Sequence, residues 1–294
     1  MLKERNLTIG TVDINFAEGP KSGTPLVLLH GIPGRWQEFM PIMPTLLLQW
    51  HVYALDFRGQ GKSGRAPGQY QSGYYVADVA EFLRRQFAEP VILYGQSAGG
   101  MVALNTAAQL PELVKAVILG DSPIDIEMLI GWMTSDGFKH HFASLQEIAG
   151  LNGLSVTEIA HKIANIPVPI PGEDEPIRYG DTPGADPLQI RQLAITLSRM
   201  DPDVLAYHAS GQARAFLEGF ELDEILARTP CPVLLVQGNP SLGGMMTDRA
   251  VNHVKSRLPH AENALIESAG HDLGLDTWEV APLLRVVVNF LSSL

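Results

Sequence analysis

Six short apolar runs recur along the chain, at Leu26–Leu29, Val52–Leu55, Val91–Tyr94, Ala116–Leu119, Val233–Val236 and Ala264–Ile266. Runs this brief and this continuously apolar suit strands buried on both faces. Helical patterns fall between most of them. Val76, Val79, Ala80 and Leu83 repeat at helical spacing, as do Met101, Leu104 and Ala108 ahead of Pro111, and Val280–Leu291 ends the chain as a further helical stretch. Alternation of this kind predicts an α/β fold, a mostly parallel open sheet flanked by helices. The segment Thr8–Phe16 alternates apolar and polar residues instead, which suits one or two antiparallel strands with an exposed face.

One interval breaks the rhythm. Residues 120–232 separate two of the runs, far more than a crossover needs. An inserted subdomain over 123–200 accounts for the excess, leaving 1–122 and 201–294 as the core domain. Within it Ile190, Leu193, Ala194 and Leu197 mark a helix, and Ile166–Pro187, dense in Pro, Gly and acids, reads as an irregular excursion. Asp201-Pro202 starts a new helix.

A chain of 294 residues with 46% hydrophobic and 18% charged residues can bury a large core. The net charge of −11 and the lack of a Lys/Arg run make nucleic acid and anionic membranes poor partners. Cys231 is the sole cysteine, so no internal disulfide forms, and a packed thiol is the expected state. The charged start Met1–Asn6 lacks the apolar region of a signal peptide, and no run reaches membrane-spanning length, so a cytoplasmic location without membrane insertion is expected.

The segment Gly95-Gln96-Ser97-Ala98-Gly99 lies between an apolar strand and a helical pattern. A serine on such a tight turn is held with Oγ above the sheet, and the small residues two positions either side let neighbouring chain segments approach. Ser97 is the candidate nucleophile. A serine at its ordinary pKa needs a base within hydrogen-bond reach. Of nine histidines, His271, in Ser268-Ala269-Gly270-His271-Asp272, lies just past a late strand in a loop of small residues, where ligand sites gather in open parallel sheets. His30 is expected to be a structural, hydrogen-bonded histidine, and His140, His141, His161 and His208 are expected at the surface or a pocket rim. Acyl transfer also needs backbone N–H donors for the oxyanion. Ala98, after the nucleophile, is one. The loop His30-Gly31-Ile32-Pro33-Gly34 supplies the other, and because Pro33 has no N–H, Ile32 is the better donor.

His30-Gly31-Ile32-Pro33, Asp56-Phe57-Arg58-Gly59-Gln60-Gly61-Lys62-Ser63-Gly64, Gly95-Gln96-Ser97-Ala98-Gly99 and Gly270-His271-Asp272, in this order, resemble the α/β-hydrolase superfamily, over nearly the whole chain. The resemblance implies an α/β-hydrolase fold, a mostly helical cap formed by the insertion, and a purely structural turn at Asp56–Gly64. It also exposes a departure. Relatives most often carry the acid that orients the histidine a few residues beyond the strand ending here at Gln237, where this chain has Ser241, with Asn239 nearby. Some superfamily members place the acid one strand earlier, which makes Asp121 the preferred choice. Asp248 is a second candidate, read mainly as a helix N-terminal acid, and a Ser-His dyad is a third arrangement.

Serine at the elbow implies an acyl-enzyme, unlike the aspartate of epoxide hydrolases and haloalkane dehalogenases. The expected activity is that of a carboxylesterase on small to medium acyl esters. A carbon–carbon bond hydrolase or cofactor-free perhydrolase or haloperoxidase of the same fold is the alternative, and a non-catalytic ligand receptor on this scaffold is a further one. Met128, Trp132, Met133, Phe138 and Phe142 are the candidate substrate-pocket residues, with packing inside the cap as the competing role. No cofactor motif and no metal-ligand spacing is present in the sequence, so the expected partner is a small-molecule ester.

Overall fold

The computed structural model describes residues 2–168, 176–182 and 185–294. Eight strands form its main sheet: β1 (Lys3–Ile9), β2 (Val12–Glu18), β3 (Pro25–Leu29), β4 (His51–Leu55), β5 (Val91–Gln96), β6 (Val114–Gly120), β7 (Val233–Gly238) and β8 (Glu262–Ile266), in the order β1-β2-β4-β3-β5-β6-β7-β8. The pairs β1/β2 and β2/β4 are antiparallel; every pairing from β4 through β8 is parallel.

The apolar runs divide by parity, as a pleated strand requires. Val27, Leu29, Leu93, Val117, Leu119 and Leu235 enter the core on one face of the sheet. Leu26, Leu28, Ile92, Tyr94, Ile118, Leu234 and Val236 enter the core on the other. Helices α1 (Ser72–Gln86) and α2 (Ala98–Gln109) cover the first face. The chain-terminal helix (Ala281–Ser293) covers the second through Leu283, Val287 and Phe290. Helix α2 is buried along almost its whole length, which its Gly- and Ala-rich sequence permits. No helix among the described residues is long and apolar enough to cross a membrane.

Beyond β6 the chain leaves the sheet for helices α3 (Ile126–Thr134), α4 (Asp136–Gly150), α5 (Val156–Ala164) and α6 (Pro187–Leu197). Side chains start them locally. Ser135 caps α4, Ser155 and Glu158 form a capping box on α5, and Asp186 caps α6 ahead of Pro187. The stretch read as irregular from 166 to 187 falls partly outside the described residues; its described part pairs Pro167–Val168 with Ile177–Arg178. The helical layer also runs past the boundary drawn at residue 200. A 3-10 turn at Pro202–Leu205 and a short helix at Ala206–Ala209 pack against α4. Asp201, at the join, is tied to the core: its N–H donates to Gly59 O (2.7 Å) and its carboxylate accepts from Tyr70 OH (2.7 Å).

Candidate active site

Strand β5 ends at Gln96 and helix α2 begins at Ala98, so Ser97 alone makes the turn, with φ 54° and ψ −124°. A serine rarely adopts that backbone, and its surroundings must hold it there. Ser97 N–H donates to Gly120 O (2.8 Å) and Ser97 O accepts from Gly100 N–H (3.0 Å). The flanking glycines are required by contact. A Cβ on Gly99 would sit 2.2 Å from Leu29 O, and one on Gly95 would sit 2.2 Å from the Gly99 carbonyl carbon.

His271 lies in the loop after β8, 2.9 Å from Ser97 Oγ through Nε2 and 2.8 Å from Asp121 Oδ2 through Nδ1. An ionised carboxylate only accepts, so the network assigns the proton to Nδ1 and leaves Nε2 free to receive one from Ser97. Gln96 Nε2 donates to His271 O (2.6 Å), tying the loop of the candidate base to the strand that leads to Ser97.

Asp121 follows β6 at φ 38° and is fully buried. Its Oδ1 accepts from Gly238 N–H (2.8 Å) and Met246 N–H (3.0 Å), and its Oδ2 accepts from Met245 N–H (2.6 Å) besides His271. Backbone donors thus satisfy a buried charge without a cation. The other acid candidates have different partners. Asp248 sits in the first turn of its helix and accepts from Gln237 Nε2 (3.1 Å). Asn239 caps a 3-10 turn through Ser241 N–H (2.9 Å), and Ser241 is exposed.

Gly31 lies against the candidate nucleophile, its virtual Cβ 3.1 Å from Ser97 Cβ, which brings the following residue, Ile32, to the same edge. Ala98 is the first residue of α2, where N–H groups have no partner inside the helix. His30 is fully buried, its Nδ1 2.6 Å from Gly31 O and its Nε2 accepting from Phe57 N–H (3.0 Å). Burial lowers its pKa, keeping it neutral, and it holds two loops together. Asp56 accepts from Trp36 N–H, Asn15 Nδ2 and Lys62 N–H, and Arg58 makes a buried bidentate pair with Asp78. Both residues serve the turn.

In front of Ser97 and His271 opens a cavity of about 700 Å³. Its lining is mixed: Arg35, Gln37, Gln189, Gln192, Asp272 and Asp276 border it beside apolar residues such as Met40, Leu193, Leu275 and Trp278. Arg35 bonds Gln192 Oε1, and its buried Nε has no partner among the described residues. Burial, then the charge of Asp276, pushes the Glu38 carboxyl well above its ordinary range. The residues expected to line the substrate pocket lie elsewhere. None of Met128, Trp132, Met133, Phe138 and Phe142 borders this cavity. Met133 is fully buried in the core, Phe138 stacks on Phe142 with ring centroids 4.3 Å apart, and Trp132 is 43% exposed. An amphipathic helix pair gains more by burying its apolar face against its neighbours than by lining a water-filled space. His208 departs from expectation for the same reason: it is buried against Phe142 and Phe216. The polar lining comes from α6 and from the loops after β3 and β8.

The family model described as alpha/beta hydrolase fold matches residues 24–152. The chain is 33% identical over 118 residues to 2-(acetamidomethylene)succinate hydrolase of Mesorhizobium japonicum, an alignment covering 40% of this chain and 42% of that protein. Alignments to this and two other curated relatives cover between 31% and 42% of those proteins' length. Among solved structures, N-formylmaleamic acid deformylase of Pseudomonas putida superposes with a TM-score of 0.73 at 18% identity, covering 97% of this chain and 100% of that one. A thermophilic esterase of Thermogutta terrifontis superposes with a TM-score of 0.70 at 19% identity, covering 100% and 98%. With the eight-stranded sheet, these likenesses define an α/β-hydrolase fold. The α/β-hydrolase family match itself is carried by residues 24–152.

Proposed function

We propose that the chain is a serine-dependent carboxylic ester hydrolase working through an acyl-enzyme on Ser97. The observation that carries this reading is the chain of contacts from Ser97 Oγ to His271 Nε2 (2.9 Å) and from His271 Nδ1 to the buried Asp121 carboxylate (2.8 Å) at the mouth of an open cavity. In the proposed sequence, Oγ attacks the ester carbonyl carbon as His271 takes its proton. The tetrahedral oxyanion meets the N–H groups of Ile32 and Ala98, at the positive end of α2. The carbon–oxygen bond to the alcohol then breaks, and His271 returns the proton to the departing alkoxide. A water deprotonated by His271 attacks the acyl carbon, releasing the acid and restoring Ser97.

A serine at position 97 supports acyl transfer over the alkyl-enzyme route, although one relative, at 33% identity, is a soluble epoxide hydrolase. A relative at 27% identity is a carbon–carbon bond hydrolase, 2-hydroxy-6-oxo-6-(2'-aminophenyl)hexa-2,4-dienoic acid hydrolase, and its chemistry is the alternative reading. The test is hydrolysis of p-nitrophenyl acetate with fluorophosphonate labelling. Turnover and labelling in the wild type, both lost in Ser97→Ala, are expected; a wild type that neither turns over the ester nor labels overturns the proposal.

A further inference from the structure

Two carboxylates on the segment after β6, Asp121 and Asp125, grip one stretch of chain after β7. Asp121 takes the backbone N–H groups of Met245 and Met246. Asp125 takes the side chains that follow. Its Oδ2 accepts from Thr247 Oγ1 (2.9 Å) and Arg249 Nε (2.8 Å), and its Oδ1 accepts from Arg249 Nη2. The same Oδ1 caps α3 through Met128 N–H (3.2 Å). Thr247 Oγ1 in turn accepts from Ala250 N–H (3.1 Å), capping the helix Asp248–Arg257.

The donors on Asp121 depend on this second row of contacts. Residues 244–247 form no helix or strand, so no ladder fixes where the N–H groups of Met245 and Met246 point. The stretch is tied at its start by Gly244 N–H to Asn239 O (2.9 Å) and in the middle by Gln237 Nε2 to Met246 O (3.1 Å). Thr247 and Arg249 fasten its far end to the very segment that carries Asp121. Asp125 is a firm anchor, with a side chain 6% exposed and a guanidinium across both oxygens. That guanidinium lowers the Asp125 pKa, so the pair stays charged at neutral pH. We infer that Arg249, acting through Asp125 and Thr247, is a positioning residue for the candidate triad: it keeps the two N–H groups on Asp121 and so holds the carboxylate that orients His271. The inference rests on the triad reading of Ser97, His271 and Asp121 and adds a residue to it. Because Asp125 also begins α3, the first cap helix is joined to the candidate acid by the same contact.

Stability and positioning separate at this residue. The Arg249 side chain is 62% exposed, and an ion pair with one exposed partner adds little to the fold. Catalysis is more sensitive to geometry, since a displacement of about 1 Å costs up to about 100-fold. Neither Asp125 nor Arg249 borders the cavity in front of Ser97, so losing the pair should leave KM alone. A residue that only braced the surface would leave kcat alone as well.

The experiment measures p-nitrophenyl acetate kinetics, Tm and the NMR signal of the His271 Nδ1 proton in the wild type, Arg249→Met and Arg249→Lys. Arg249→Met is also added to Asp121→Asn. The expected result for Arg249→Met is a kcat about 10-fold lower with KM within about twofold, an Nδ1 proton signal moved upfield, and a Tm within about 2 °C of the wild type's. Arg249→Lys restores the charge and should recover part of the loss. Added to Asp121→Asn, Arg249→Met should cost less than about twofold, because the group it acts through is already disabled. Should Arg249→Met fail to fold, Arg249→Gln takes its place. A wild-type kcat and Nδ1 signal in the folded variant, or an undiminished loss on top of Asp121→Asn, overturns the positioning role and leaves the esterase reading intact. Should the wild type hydrolyse no ester, the esterase reading falls, and the Nδ1 signal alone decides whether Arg249 orients the imidazole.

Discussion

Gln96 Nε2 donates a hydrogen bond to the main-chain carbonyl of His271 at 2.6 Å, so the residue before the candidate nucleophile anchors the loop of the candidate base. The two elements are 175 residues apart and share no strand pairing. Removing the tether should let the imidazole wander from Oγ without unfolding the sheet. Gln96→Leu is expected to lower kcat about 10-fold with little change in KM, the scale of one well-placed hydrogen bond. Steady-state kinetics with a melting curve checks this. An unchanged kcat beside a lowered Tm would assign Gln96 a structural role alone.

Asp121 is the candidate acid, and its donors set it apart. Asp121 takes three backbone N–H groups and the imidazole N–H, two on each oxygen, and asparagine cannot accept all four because its NH2 would face two of them. Asp121→Asn is therefore expected to cut turnover by about 10³–10⁴-fold, through a misassigned imidazole tautomer, and to lower stability by about 1–3 kcal/mol. Asp248→Asn, which touches Gln237 rather than His271, should stay within about twofold of wild-type turnover. Equal losses in the two variants would sink the assignment.

Much of this site is legible in the sequence because local rules dictate it. The elbow needs small residues at 95 and 99 whatever the substrate, and the apolar runs must alternate between two cores whatever the cap does. The acid was less legible. Its departure from the usual position shows in Ser241, but the choice between Asp121 and Asp248 depends on a contact across 150 residues that no local pattern encodes. The pocket was illegible for another reason. Phe138 and Phe142 have the composition of a substrate pocket, and the same composition suits a helix packing its own apolar face. Arg35 and Gln192 meet only because α6 folds over the loop after β3.

Cys231 is partly buried between Pro230 and Pro232, and burial pushes its thiol up to about 11. The thiolate is the reactive species, so the native protein should react with dithionitrobenzoate at pH 8 about 100-fold more slowly than the chain unfolded in guanidinium. Comparable rates would mean that the segment ahead of β7 opens readily or that the thiol is not held as described.

His208 gives the helical layer a pH dependence. Its ring stacks on Phe142 (5.0 Å between centroids) and meets Phe216 (4.8 Å), its Nδ1 has no partner among the described residues, and burial lowers its pKa from 6.5 to about 4. Between these two values the unfolded chain binds more protons at this residue than the folded chain does. Stability therefore rises with pH across that window and falls as the medium is acidified from 6.5 toward 4. The full span corresponds to about 3 kcal/mol, several degrees of Tm for a chain of this size. His208→Phe keeps an aromatic ring in the stack and removes the proton site, so its Tm should vary less over that range and exceed the wild type's at pH 5. Melting curves at half-unit pH steps decide the matter, because parallel slopes in the two proteins would place the acid sensitivity elsewhere.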